Sequence, residues 1–228
     1  MYDQSSAYPQ TYAASDRSGF IVKTYLHLLG AILLFVALEV GIFASGLALP
    51  MAQAMLGTSW LLVLGGFMMV SWLGSRVAQT AESKVAQYAA LGAYVLAEAI
   101  IFVPMLLIAN MQADGVITSA AAVTLMGFGG LTAVAFITRK DFSFLRGVLL
   151  WGGFGVMLLI VSGAIFGFQL GTFFSVGMVV FAGAAILYDT SNIIHHYPEN
   201  RYVGAALALF ASVALLFWYI LRIFMSRD

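Results

Sequence analysis

Apolar residues run along this chain in seven long stretches, separated by short polar or glycine-containing segments. The stretches are continuous and do not alternate polar with apolar at a period of two. As a helix rising 1.5 Å per residue, ~20 apolar residues match the ~30 Å hydrocarbon core of a bilayer. No water is available there to satisfy the backbone, so only helices or closed barrels cross it. The missing alternation argues against a barrel. The pattern therefore predicts an all-α membrane protein with seven spanning helices. They fall at about 21–45, 58–76, 86–109, 116–138, 144–167, 170–194 and 203–225. The connections are short, so residues 21–228 read as one transmembrane domain. Residues 1–20 precede it. Met1 to Ser18 is polar and reads as a flexible tail, with no apolar core and small-residue cleavage site of a leader. Pro104 lies inside the third predicted helix and predicts a kink. Glycines at 127, 129 and 130, and at 152, 153 and 155, suit close helix packing in lipid.

Composition excludes several classes of function. Hydrophobic residues make up 62% of the chain and charged residues 9%, where soluble domains carry roughly 25% charged. The net charge of zero offers no field for nucleic acid. Without cysteine there are no disulfides, thiol nucleophiles or cysteine–metal sites. No His-Glu-x-x-His helix, Walker loop or Gly-x-Ser-x-Gly elbow occurs. No enzyme and no cofactor are expected, and the bilayer is the first partner.

Charge placement predicts an orientation. Arg17, Lys23, Arg76, Lys84, Arg139, Lys140, Arg146 and Arg201 fall at one end of the predicted bundle, and only Arg222 and Arg227 at the other. By the positive-inside rule the N-terminus is cytoplasmic and the C-terminus outside. Short tails without organelle signals point to a bacterial inner membrane.

Three acids fall within predicted spans: Glu39, Glu98 and Asp189. Each costs roughly 2.5–3.5 kcal/mol at mid-bilayer, so such residues face a bundle interior or water. Glu39 lies ~24 Å and Glu98 roughly 17 Å from the basic end of their helices, with Asp189 close to that end. On one interior face they would form a stepped path for cations or protons. Set apart, Glu98 would be a neutral, hydrogen-bonded carboxyl and Asp189 a hydrated interfacial one. Hard oxygen ligands suit calcium or magnesium, with Asp189 as the candidate ligand for calcium. His27 reads as interfacial, and His195 and His196 as a solvated pair beside a basic loop. Trp60, Trp72, Trp151, Trp218 and Tyr219 lie in or near helix ends or faces, and most suit aromatic belts at the membrane interfaces.

Three segments carry a likeness. Arg139-Lys140-Asp141-Phe142-Ser143-Phe144-Leu145 resembles the loop before the fifth helix of the Bax inhibitor-1, or transmembrane Bax inhibitor motif, family. Ile186-Leu187-Tyr188-Asp189-Thr190-Ser191-Asn192-Ile193-Ile194 resembles that family's sixth-helix signature. The stretch from Ala206 to Phe224 is similar to its seventh helix. The resemblance implies six helices around a central seventh and a pH-influenced calcium leak, closed by paired aspartates on the last two helices. Asp189 matches the first aspartate. Ser212 stands where the second would be, in Leu209-Phe210-Ala211-Ser212, so one titrating partner is replaced by a hydroxyl. Arg76 is the candidate for the family's pairing arginine, and Glu98 is a candidate for the missing acid.

The leading expectation is thus a calcium or cation leak channel, with Asp189, Ser212, Glu98, Glu39 and Arg76 as pore and pH-sensing residues. The alternative is a non-conducting modulator that binds other membrane proteins, such as a protease or stress-response partner. A proton-coupled exporter is a third reading.

Overall fold

Long apolar segments become helices because each backbone donor then finds its acceptor within its own segment. A computed structural model describes residues 9–226, and all regular structure among them is helical. The helices are α1 (Pro9–Ala44), α2 (Ala48–Leu56), α3 (Trp60–Thr80), α4 (Lys84–Gln112), α5 (Val116–Thr138), α6 (Leu145–Phe166), α7 (Thr172–His195) and α8 (Tyr202–Met225). A single 3-10 turn, Glu199–Arg201, leads into α8. Seven of these helices are long and apolar enough to cross a membrane, α2 being the exception. The chain is an integral membrane protein of seven helices.

The predicted bounds agree with the structure to within a few residues for the last six spans, but α1 starts earlier. Helix extends back to Pro9, so the segment expected as tail ends no later than residue 8, and residues 1–8 lie outside the described residues. Tertiary contacts explain part of the extension. Phe20 is buried and stacks on Tyr197, and the Arg17 guanidinium donates to carbonyls at the end of α7. Helix α2 was not predicted, because a stretch of nine residues holding Pro50 reads as a connection. Pro50 sits in its first turn, where an N–H would have no helical acceptor, so it costs the helix nothing. Gly46, at φ +75°, makes the left-handed turn between α1 and α2.

Helices α4 and α8 hold most of the core. Helix α8 packs against α1, α3, α4, α5 and α7, whereas α6 lies at the edge against α7 and α3. Phe102 of α4 stacks on Phe217 at 5.6 Å and meets Trp218 edge-on at 4.9 Å. Tyr219 is also buried. Trp218 and Tyr219 therefore pack within the bundle instead of forming an interfacial belt, while Trp72 and Trp151 remain exposed. Helix α4 runs without a break through Pro104. The glycine groups divide: Gly152 and Gly153 face Phe181, and Gly127 faces Leu216, but Gly129, Gly130 and Gly155 meet open space. Among the glycines, the tightest contact for an added Cβ falls at one not singled out by sequence. A Cβ on Gly204 of α8 would lie 2.8 Å from the Ala78 carbonyl oxygen of α3.

Candidate functional site

The Asp-Thr-Ser run of α7, Asp189, Thr190 and Ser191, stands in its last two turns. Helix α8 returns antiparallel beside α7, which brings Ser212 opposite Asp189. The Ser212 hydroxyl donates to Asp189 Oδ2 at 2.6 Å. Ser212 is 8% exposed and Asp189 partly buried. The contact is short and involves a carboxylate, which makes it one of the stronger classes of hydrogen bond. One hydroxyl proton serves it, so it clasps two helices and cannot share a titrating proton as two acids would.

Further hydroxyls gather there that the sequence did not single out. Tyr25 of α1 faces Thr132 of α5 and Thr190 of α7, and lies within electrostatic reach of Asp189. The hydroxyl oxygens of Tyr25, Thr132 and Thr190 are all buried. The Tyr25 ring is held by Phe128 and Phe136 of α5, at 6.5 and 5.9 Å between centroids. Four helices thus contribute one polar side chain or more to a single cluster inside an apolar bundle. Thr132 and Ser212 are lone polar residues in apolar runs, Asp189 and Thr190 belong to a short polar run, and nothing local says which of them meet.

The basic loop closes over this cluster. The Phe142 N–H donates to Ser191 Oγ at 2.9 Å, and His196 Nε2 pairs with Asp141 Oδ2 at 2.9 Å. Two of the segments that carried the family likeness are therefore in direct contact. Asp141 also accepts the Ser143 N–H at 2.8 Å. That backbone donor first, and His196 second, hold its carboxyl below the usual aspartate range. His196 is thereby tied to Asp141 and does not stand as half of a free histidine pair, although both side chains are about half exposed.

The other predicted site residues lie elsewhere. Glu98 occupies the middle of α4 and is 6% exposed, with Tyr94 as its polar neighbour. Glu39 is 7% exposed, lies against apolar residues of α4, α5 and α8, and has no hydrogen-bond partner for either oxygen. Arg76 is exposed on α3 and lies over its own Trp72 at 5.4 Å. No hydrogen bond or ion pair joins Glu98, Glu39 or Arg76 to Asp189 among the described residues. The three acids thus occupy three separate surroundings. Among the described residues no three His, Asp or Glu side chains come together as a metal-ligand set. Asp189 and Ser212 offer one carboxylate and one hydroxyl toward any calcium ion that passes, where calcium takes ~6–8 oxygens.

Basic residues read only as orientation signals also have structural partners. Arg17 donates to the carbonyls of Ile194 and Tyr197, at 3.0 and 2.5 Å. Arg201 donates to the carbonyls of Thr80 and Ala81 at the end of α3, and Lys84 to that of Asn200. At the opposite end Arg222 donates to the Leu170 carbonyl at 2.6 Å. Arg17 and Arg201 sit where the C-termini of α7 and α3 leave unpaired carbonyls and a partial negative charge.

Known proteins resemble this chain in sequence. Residues 17–228 match the model of the family described as inhibitor of apoptosis-promoting Bax1. An uncharacterized protein of Pseudomonas aeruginosa is 45% identical over 112 residues, 48% of this chain and 49% of that protein. A modulator of FtsH protease, YccA, of Escherichia coli is 35% identical over 116 residues, 50% of this chain and 52% of that one. Bax inhibitor 1 of Schizosaccharomyces pombe is 37% identical over 117 residues, 47% and 41% of the two chains. The matches span about half the length of each of these relatives. With the family model covering every spanning helix, the chain belongs to the Bax inhibitor-1 family.

Proposed function

We propose that this protein is a non-conducting modulator that binds and regulates another membrane protein, with a membrane-bound protease as the partner class, and performs no catalytic step itself. The observation that carries this is the Asp189–Ser212 contact of 2.6 Å. It fills the place of a titrating acid pair with a fixed clasp, while Glu98 and Glu39 stand apart from it. The name of the Escherichia coli relative, a protease modulator, supports the partner class. Helix α6 supports the means of docking. It packs mainly on α7 and α3, and presents Leu150, Trp151 and Phe154 outward. We place the protein in a bacterial inner membrane with the basic end cytoplasmic, so the N-terminus is inside and the C-terminus outside.

The test is co-purification from native membrane, followed by reconstitution with the captured partner. A stoichiometric partner with altered proteolysis is expected, with calcium entry no faster than in protein-free liposomes. Calcium entry well above that level, abolished by Asp189→Ala, would overturn it. That outcome would establish the second reading, a pH-influenced calcium or cation leak, favoured by three acids within the spans and by hydroxyls gathered around Asp189.

A further inference from the structure

Among the described residues, Glu39 is the acid within the spans with both carboxyl oxygens fully buried and without a hydrogen-bond partner. A buried carboxyl without a partner costs several kcal/mol, so its persistence requires an account. It stands on the wall of a crevice of about 380 Å³ between the C-terminal half of α1, the N-terminal half of α5 and the middle of α8. That volume lies within the ~300–1,000 Å³ range of small-molecule sites. The walls are apolar, among them Phe35, Leu106, Phe210 and Phe217. Thr124, the buried hydroxyl in the lining, already donates to the Ala120 carbonyl at 2.7 Å. No basic side chain lines the crevice. Val36, Val40 and Leu125 at its rim are 49%, 63% and 53% exposed, on a surface that faces lipid. The crevice therefore opens sideways into the bilayer.

We propose that this crevice binds a single-chain lipophilic amine, with its ammonium on the Glu39 carboxylate and its alkyl chain along the apolar walls. The charge selects the occupant. A lone carboxylate between apolar walls cannot replace the oxygen shell of a divalent cation. An ammonium needs only one anionic acceptor, and its chain takes up the rest of the space. The volume suits one alkyl chain better than a phospholipid with two. The site is separate from the Asp189 cluster and independent of the modulator reading.

The experiment uses the full chain in phosphatidylcholine nanodiscs and radiolabelled dodecylamine as the probe. Saturable binding to the wild type is expected, weakened by about tenfold or more in Glu39→Gln, the loss of one charge-assisted contact. Glu39→Gln removes an unpartnered carboxyl at constant shape, so the fold should hold, and an unchanged melting profile checks this. Ala121→Phe, which fills the crevice from α5, should also abolish binding. Dodecanol should fail to displace the amine. Equal binding to wild type and Glu39→Gln would overturn the proposal, as would displacement by dodecanol. Displacement by phosphatidylethanolamine in the nanodisc would overturn the single-chain assignment.

Discussion

Replacing Ser212 by alanine removes the donor to Asp189 and leaves a partly buried carboxylate oxygen without its short 2.6 Å contact. Stranding a buried polar group costs roughly 1–3 kcal/mol, with charged groups toward the upper end. Asp189 is only partly buried, which draws the expected loss toward the middle of that range. For a chain of this size 1 kcal/mol shifts the melting temperature by roughly 2–4 °C. Ser212→Ala should therefore melt about 4–8 °C below the wild type. A single variant would confuse the contact with ordinary packing, because Ser212 is also in the core. The decisive assay is a double-mutant cycle of Ser212→Ala and Asp189→Ala, read by reversible unfolding in mixed micelles. The double variant should be less destabilised than the two single losses added together, by about 1–2 kcal/mol of coupling. Additivity within about 0.5 kcal/mol would mean that the two side chains do not interact in the folded protein, and the site described above would lose its centre.

Gly204→Ala should destabilise by about 1–3 kcal/mol, because the new Cβ meets the Ala78 backbone oxygen at 2.8 Å. Gly155→Ala, whose Cβ meets open space, should be neutral or stabilising by about 0.5–1 kcal/mol in the same unfolding assay. Arg201→Gln should speed amide hydrogen exchange at the end of α3, because the Thr80 and Ala81 carbonyls lose their cationic donor. The Asp141 carboxyl is held below its ordinary value by Ser143 and His196. Its contribution to loop docking is therefore full above the unfolded aspartate value of ~3.9 and is lost as pH falls through the lower folded one. Carbon-detected titration of Asp141 should show this, and His196→Ala should raise its pKa toward the ordinary value.

Much of the architecture follows from sequence because the bilayer is a demanding solvent. An apolar run of the right length has to be a helix there, so seven spans were legible, and α5 was placed with its observed ends at Val116 and Thr138. Polar residues within those runs, Asp189 and Glu98 and Glu39, announced themselves by their cost. Their mutual arrangement did not. Only the folded structure decided that Asp189 meets Ser212, that Glu98 belongs with Tyr94, and that Glu39 lines a crevice of its own. It also decided that Arg17 reaches across 177 residues to the Ile194 carbonyl. In a soluble helix the apolar stripe reveals which side faces inward. Here lipid-facing and core-facing surfaces are equally apolar, so sequence sets how deep a residue lies but not the direction in which its side chain points, and helix packing supplies the rest.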